Sequence, residues 1–177
     1  MDSSTDIIAK ARAVAVAALE GRTRSDGSPF IGHPDAVARI VQEEIGLPDE
    51  CVAAVYLHEA MRGQTAVTGN GETEGKSNTG IVQIDLKGFD EGIVKMAEGL
   101  NRISTIKPKD TRLEAENYKK LIIQYSTDPR VTVLKLADRL EIMRSLKFFP
   151  KADRERKILE TLMLYLPLAH QLGLYNM

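Results

Sequence analysis

Helical periodicity is the feature of this sequence that most restricts its fold. Apolar residues recur three and four positions apart along most of the chain, a spacing that gives an α-helix one apolar face. The pattern predicts helices over residues 3–19, 34–45, 48–61, 89–101, 111–125, 130–146, 152–166 and 167–172. No repeat of about 20 to 50 residues is visible. The chain is therefore predicted to form one all-α domain, a compact multi-helix bundle.

Glycine and proline mark the predicted helix boundaries. Gly21 and Gly46 follow the first two helices, where a residue free to adopt positive φ commonly ends a helix. Pro34 and Pro48 open the second and third helices, because the first turn does not use the N–H that proline lacks. Pro129 disfavours a helical conformation at the residue before it, which separates two later helices.

A polar stretch from about 62 to 88 lacks the helical pattern. Four glycines interrupt it: Gly69, Gly71, Gly75 and Gly80. We expect one long glycine-rich loop here. Near its end, Ile81–Leu86 alternates weakly, and this segment is either a strand or an isolated extended piece.

Charge and cysteine content exclude several functional classes. The chain of 177 residues has 24 basic and 25 acidic side chains, so it has no general attraction for DNA or an anionic membrane. An anionic ligand must therefore meet a local cluster of positive charge. The single cysteine, Cys51, cannot form an internal disulfide, which fits a reducing compartment. The acidic N-terminus and short apolar runs do not resemble a signal peptide or a membrane span, so we expect a cytoplasmic protein.

Asp138 is the most informative ionisable residue. It lies four residues from both Leu134 and Ile142, so it interrupts an otherwise apolar stripe. A buried carboxylate without a partner costs several kcal/mol. Asp138 therefore needs either a salt bridge to a neighbour such as Arg139 or Arg24, or a metal ion.

The histidines are weaker signals when taken singly. His33 precedes a helix-opening proline and is either a capping residue or a ligand, whereas His170 has the surroundings of a packed or surface histidine. His58 and Glu59 are neighbours on a helix, and both reach one ion only if it lies between their directions. Together with Asp138, these imidazoles and carboxylates form a donor set that suits manganese, zinc or iron.

Five ordered motifs make the sequence similar to a known family. They are Gly-Arg-Thr-Arg-Ser-Asp-Gly-Ser-Pro-Phe-Ile-Gly-His-Pro (21–34), Ala-Ala-Val-Tyr-Leu-His-Glu (53–59), Thr-Asp-Pro-Arg-Val (127–131), Lys-Leu-Ala-Asp-Arg-Leu (135–140) and Pro-Leu-Ala-His-Gln-Leu-Gly (167–173). In this order they resemble the N-terminal HD domain of the RelA/SpoT family, whose members make and destroy the alarmone (p)ppGpp. The resemblance covers nearly the whole chain except about 64–88. It implies a helical fold, one manganese(II) ion and removal of the 3′ pyrophosphate from ppGpp.

The resemblance also implies roles for individual residues. His33, His58 and Asp138 fall on metal-ligand positions, and Glu59 stands where the family has the Asp of its His-Asp pair. Arg24 matches a basic residue beside the guanine base of ppGpp, pppGpp, GDP or GTP. Further residues that match the nucleotide pocket or its edge are Ser25, Asn117, Lys119, Lys135, Arg139, Ile142, Arg144 and Ser145. In long family members, the segment matching 167–174 leads into a C-terminal synthetase domain.

Three departures from the family pattern bear on the chemistry. Glu59 adds one methylene to the ligand but remains a carboxylate. Arg62 and Gly63 stand where the family has a Glu-Asp pair that orients or deprotonates the attacking water. A guanidinium cannot accept a proton and glycine has no side chain, so no catalytic pair is intact. Glu141 and Ile142 replace a His-Asn pair, and the isoleucine removes a polar contact.

Two main functions fit these departures. In the first, the chain is an HD domain with weakened or lost 3′-pyrophosphohydrolase activity that binds nucleotide or metal, or regulates an attached synthetase domain. In the second, it is an active manganese-dependent hydrolase in which another group, with Glu72, Glu74 and Asp85 as candidates, replaces the missing pair. A third reading is a packing or dimerisation module whose site has decayed.

Overall fold

The computed structural model describes residues 3–68, 84–105, 122 and 128–174. Helices account for the regular structure of these residues. These residues contain no β-strand, and one isolated bridge pairs Thr23 with Pro29 in the turn that precedes the second helix. The all-α fold predicted from the sequence is confirmed.

The helices of the described residues are numbered α1 to α7. Their bounds are Ser3–Ala18 (α1), Gly32–Arg39 (α2), Asp49–Thr68 (α3), Glu91–Thr105 (α4), Pro129–Arg144 (α5), Lys151–Glu160 (α6) and Leu166–Gln171 (α7). A π-helical turn, Ile40–Ile45, continues α2, and another, Thr161–Tyr165, joins α6 to α7. A short 3-10 turn, Leu146–Phe148, follows α5.

Two predicted boundaries show how the sequence sets helix ends. Gly46 has a φ of 75° and ends the π-helical turn in the left-handed conformation that glycine adopts at little cost. Asp128 is extended and caps α5, where its carboxylate accepts the backbone N–H of Arg130 at 2.9 Å and Pro129 begins the helix. These local signals start α5 at a defined residue, and the position of Asp138 depends on that start.

The third helix, α3, forms the centre of the core. All residues from 51 to 60 are buried, because α1, α2, α4 and α5 pack around this helix. A helix enclosed in this way is apolar on nearly every side and does not have one amphipathic face. No described helix, including α3, combines the length and the apolar character needed to cross a membrane. His58 and Glu59 are therefore polar residues carried into the core by an otherwise apolar helix.

The predicted start of the glycine-rich loop is wrong. The helix predicted to stop near Met61 continues to Thr68, so residues 62–68 are helical. A single glycine at position 63 costs about 1 kcal/mol in a helix interior and is not sufficient to end one without proline. Residues 84–86 have no regular structure, and the remainder of the predicted strand and loop, 69–83, lies outside the described residues. The same holds for the helix predicted over 111–125, apart from the buried Ile122.

Candidate metal centre and adjoining pocket

Three helices bring a set of metal-ligating side chains into the core. His33 lies in the first turn of α2, Glu59 on α3 and Asp138 in the middle of α5, and all three are buried. One donor atom from each lies within 4.8 Å of the other two. His33 Nε2 is 3.0 Å from Asp138 Oδ1 and 3.7 Å from Glu59 Oε1. Residues separated by more than a hundred positions thus converge on one point.

His58 is the unusual member of this group. Its Nε2 lies 3.3 Å from Glu59 Oε1, but neither ring nitrogen forms a hydrogen bond of acceptable geometry with the described residues. The side chain is nevertheless buried. Buried polar side chains nearly always form well-aligned hydrogen bonds, so a buried imidazole whose nearest polar contact, Glu59, does not form one needs an explanation.

A small cavity lies between these four side chains. His33, His58, Glu59 and Asp138 line it together with Val37, Val55, Leu100 and Leu134. About 10 Å³ is open to the centre of a water-sized sphere, which is room for about one water or one small ion. Two imidazoles and two carboxylates around an ion-sized space, one imidazole without a hydrogen bond, fit a divalent transition metal.

Lys135 neutralises Asp138 from the same helix. Its Nζ lies 2.5 Å from Asp138 Oδ2 and also donates to Ser104 Oγ at 3.1 Å. Burial opposes ionisation of Asp138, but Lys135 and His33 hold the pKa of its carboxyl well below the usual value. The carboxylate therefore stays charged and oriented in the core.

The salt-bridge partners predicted for Asp138 are wrong. Neither Arg139 nor Arg24 pairs with it: Arg139 donates to Glu160 at 2.9 Å, and Arg24 donates to Glu141 at 2.6 Å. Lys135 reaches Asp138 because residues three apart lie on one face of a helix, whereas adjacent residues diverge by about 100°. A salt bridge between Asp138 and Lys135 is therefore compatible with a role of Asp138 as a metal ligand.

Arg62 contacts the metal-ligand candidate Glu59. Its Nη1 lies 3.4 Å from Glu59 Oε1, while half of the arginine side chain remains exposed. Burial would raise the pKa of Glu59, but His58, His33 and Arg62 together lower it to about 2. The position where the family has an acid thus presents a cation to the centre, and the next residue along α3 is Gly63.

A larger pocket adjoins the candidate metal centre and shares His33 with it. About 230 Å³ of this pocket is open to the centre of a water-sized sphere. It is lined by Thr23, Arg24, Ser25, Phe30, His33, Arg62, Glu141, Ile142, Phe148, Phe149 and Lys157. Arg24, Ser25 and Ile142, for which the family resemblance implies a role in nucleotide binding, all lie on its wall.

Other predicted nucleotide residues lie away from the pocket wall. Ser145 is buried and donates to the carbonyl of Ile142, Arg139 stacks 4.0 Å from the ring of Tyr165, and Arg144 pairs with Glu44 at the surface. Lys135 is buried against Asp138. Asn117 and Lys119 lie outside the described residues.

Four residues of the pocket wall do not stand out in the sequence: Phe30, Phe148, Phe149 and Lys157. Glu141, which the sequence marks only as a departure from the family pattern, also lines the pocket. It follows Asp138 by three residues on α5 and so shares its face. The two phenylalanines and Lys157 come from the turn after α5 and from α6, and only the tertiary fold brings them to the pocket.

Comparison with known proteins identifies the family. Residues 11–175 match the family model of the HD domain. This chain belongs to the HD-domain family. The match covers nearly all of the described helices and the four metal-ligand candidates.

The HD domain is also similar to curated proteins from three bacteria. It is 36% identical over 166 residues to a guanosine-3′,5′-bis(diphosphate) 3′-pyrophosphohydrolase of Vibrio cholerae, which is 92% of this chain and 21% of the relative. It is 36% identical over 164 residues to the bifunctional (p)ppGpp synthase/hydrolase SpoT of Escherichia coli, covering 92% of the chain and 21% of that protein. A GTP pyrophosphokinase of Streptomyces antibioticus is 32% identical over 168 residues, 94% of the chain and 18% of the relative.

These matches confirm the resemblance to the RelA/SpoT family that the motifs indicate. The chain spans about a fifth of the length of the curated relatives that it matches.

Proposed function

We propose that this HD domain binds a (p)ppGpp-type guanine nucleotide and one divalent metal ion, manganese(II), and that its 3′-pyrophosphohydrolase activity is weakened or lost. The names of the relatives support the nucleotide class. The observation that carries the loss of activity is Arg62, which points a guanidinium at Glu59 where a water-activating acid is needed.

The proposed metal ligands are His33, His58, Glu59 and Asp138. Their convergence on an ion-sized cavity and the absence of a hydrogen bond at His58 support this assignment. A bound divalent ion supplies Lewis-acid activation of phosphate and water. Lys135 keeps Asp138 charged and oriented for this role.

The adjoining pocket suits an anion that carries a flat ring. Arg24, Arg62 and Lys157 bring positive charge to its wall, where Glu141 is the acidic residue among the described lining residues. Cationic side chains bind phosphate oxygens through charge-assisted hydrogen bonds. Phe30 and the two phenylalanines after α5 offer aromatic surface for a base.

Among the described residues that line the pocket, no carboxylate is free to act as a general base. Both oxygens of Glu141 are engaged, one by Arg24 at 2.6 Å and the other by His33 at 2.5 Å. Asp85, one of the substitutes considered, accepts the backbone N–H of Lys87 and does not line the pocket. Glu72 and Glu74 lie outside the described residues. Loss of a general base typically lowers a rate by about 10²- to 10⁴-fold.

The test is pyrophosphate release from ppGpp in the presence of manganese. We expect the wild-type domain to bind ppGpp in calorimetry but to turn over far more slowly than about one per second. Restoring the acidic pair with Arg62→Glu and Gly63→Asp should raise turnover by at least about 100-fold. Arg156→Glu, an exposed charge change on α6, is the control and should leave turnover unchanged. Wild-type turnover near one per second refutes the loss of activity.

The alternative is an active manganese-dependent 3′-pyrophosphohydrolase, and the clustering of His33, Glu59 and Asp138 is the observation that favours it. The same assay separates the two functions. A decayed packing module, in contrast, would give no heat when titrated with nucleotide.

The domain is further proposed to be the N-terminal part of a longer cytoplasmic protein with a C-terminal synthetase domain. Relatives that include a bifunctional synthase/hydrolase support this arrangement. Detection of the native protein in cell extracts at several times the 19.6 kDa of this chain tests it.

A further inference from the structure

Glu141 is a buried carboxylate that joins the metal centre to the adjoining pocket. Its Oε2 lies 2.5 Å from His33 Nδ1, and its Oε1 accepts a hydrogen bond from Arg24 Nη2 at 2.6 Å. The other ring nitrogen of His33, Nε2, lies 3.0 Å from Asp138 Oδ1. Each nitrogen of this imidazole therefore faces a different carboxylate of α5.

The two ring nitrogens of a metal-binding histidine have different tasks. One gives its lone pair to the metal, and the other keeps its proton and donates it to an acceptor, which fixes the tautomer and the ring orientation. An ionised carboxylate is a strong acceptor for this purpose and also makes the imidazole a better ligand. Glu141 occupies the acceptor position at Nδ1, and Nε2 points toward Asp138 and Glu59.

We propose that Glu141 is a positioning residue of the metal centre, which holds the Nδ1 proton of His33 so that Nε2 binds the ion. This inference rests on the proposed metal site. Glu141 stands where the family pattern has a His, and the proposal gives this residue a role. Helix α5 then carries one metal ligand, Asp138, and also the residue that positions a second ligand, His33.

The burial of Glu141 argues against a role limited to pairing with Arg24. Only 6% of its side chain is exposed, compared with 18% for Arg24. A buried carboxylate is stable when its oxygens are satisfied, and here His33 satisfies one and Arg24 the other. By comparison, the carboxylate of Glu160 pairs with Arg139 at a similar distance but remains 28% exposed and contacts no ligand candidate.

The first test uses the wild-type domain and needs no substitution. The protein is labelled with ¹⁵N-histidine and loaded with Zn²⁺ as a diamagnetic probe, and two-bond ¹H–¹⁵N correlations identify the tautomer of His33. We expect the proton on Nδ1 and the metal on Nε2. A metal on Nδ1 overturns the proposal.

The second test compares manganese affinity in Glu141→Gln and Glu160→Gln, titrated by calorimetry after circular dichroism has shown native helix content. Glu141→Gln should raise the dissociation constant of Mn²⁺ by about 10- to 100-fold. Glu160→Gln is the matched control, because it also removes a carboxylate that pairs with an arginine. It should change the dissociation constant of Mn²⁺ by less than about twofold. A folded Glu141→Gln domain that binds Mn²⁺ as tightly as the wild type overturns the role of Glu141 but leaves the proposed metal site intact. Failure of the wild type to bind either ion overturns both, so the two failures are distinguishable.

Discussion

Replacing Lys135 with methionine tests whether the core contains a charged centre. The Lys135 ammonium lies 2.5 Å from Asp138 Oδ2, and the two side chains are only 8% and 7% exposed. Removing one partner of a buried ion pair leaves an uncompensated charge and costs about 3–5 kcal/mol. For a chain of this size that corresponds to a fall in melting temperature of about 6–20 °C. Lys95→Met, which removes an exposed pair with Glu91, should leave the melting temperature close to that of the wild type, because solvent screens the pair.

Manganese should partly rescue the Lys135→Met variant. An ion bound at the proposed site would bring positive charge to Asp138 and so replace the charge that the lysine supplies. At about 100 times the dissociation constant, binding stabilises a folded protein by about 2.7 kcal/mol. Thermal unfolding by circular dichroism, with and without Mn²⁺, measures both effects. The reasoning is refuted if Lys135→Met melts with the wild type in the absence of metal, because Asp138 would then not depend on Lys135.

Two further predictions concern a helix cap and the pocket. Asp128→Ala removes the N-cap of α5 and should lower the free energy of unfolding by about 1 kcal/mol near neutral pH. Arg130 lowers the pKa of Asp128 below 3.8 in the folded state. The stabilisation by the Asp128 carboxylate is therefore present above pH 3.8 and is lost as the pH falls through the folded-state pKa. Urea unfolding of the wild type and the variant at several pH values measures this loss. A difference between the two proteins that stays constant down to the lowest pH at which the domain is folded would contradict it. Lys157→Gln, on the pocket wall, should weaken ppGpp binding by about 10-fold in calorimetry, whereas the exposed Lys151→Gln should not. Equal affinities of the two variants would remove Lys157 from the site.

Local signals in the sequence predict much of the fold. Gly46 and Pro129 end or begin helices through backbone preferences that act without tertiary contacts, and the structure has boundaries at both. The sequence does not predict the extension of α3 beyond Met61, because residues 62–68 lack the apolar spacing of an amphipathic helix.

The site was only partly accessible from the sequence. The sequence singles out Asp138, because a carboxylate in an apolar stripe must have a partner. Helix geometry makes that partner Lys135 and not Arg139. The engagement of Glu141 by His33 and Arg24 depends on how α2 and the preceding turn pack on α5. No local pattern encodes that packing. The metal and nucleotide roles of these residues stay predictions.

The central claim is that His33, His58, Glu59 and Asp138 hold one divalent ion. Equilibrium dialysis against Mn²⁺, followed by metal analysis of the protein, measures it directly. The account predicts one ion per chain in the wild type. It predicts none in the His58→Ala variant, because the ring nitrogens of His58 have no hydrogen-bond partner among the described residues and are left to bind the ion. A wild-type domain that retains no manganese, or a His58→Ala variant that retains one ion with unchanged affinity, would contradict the claim.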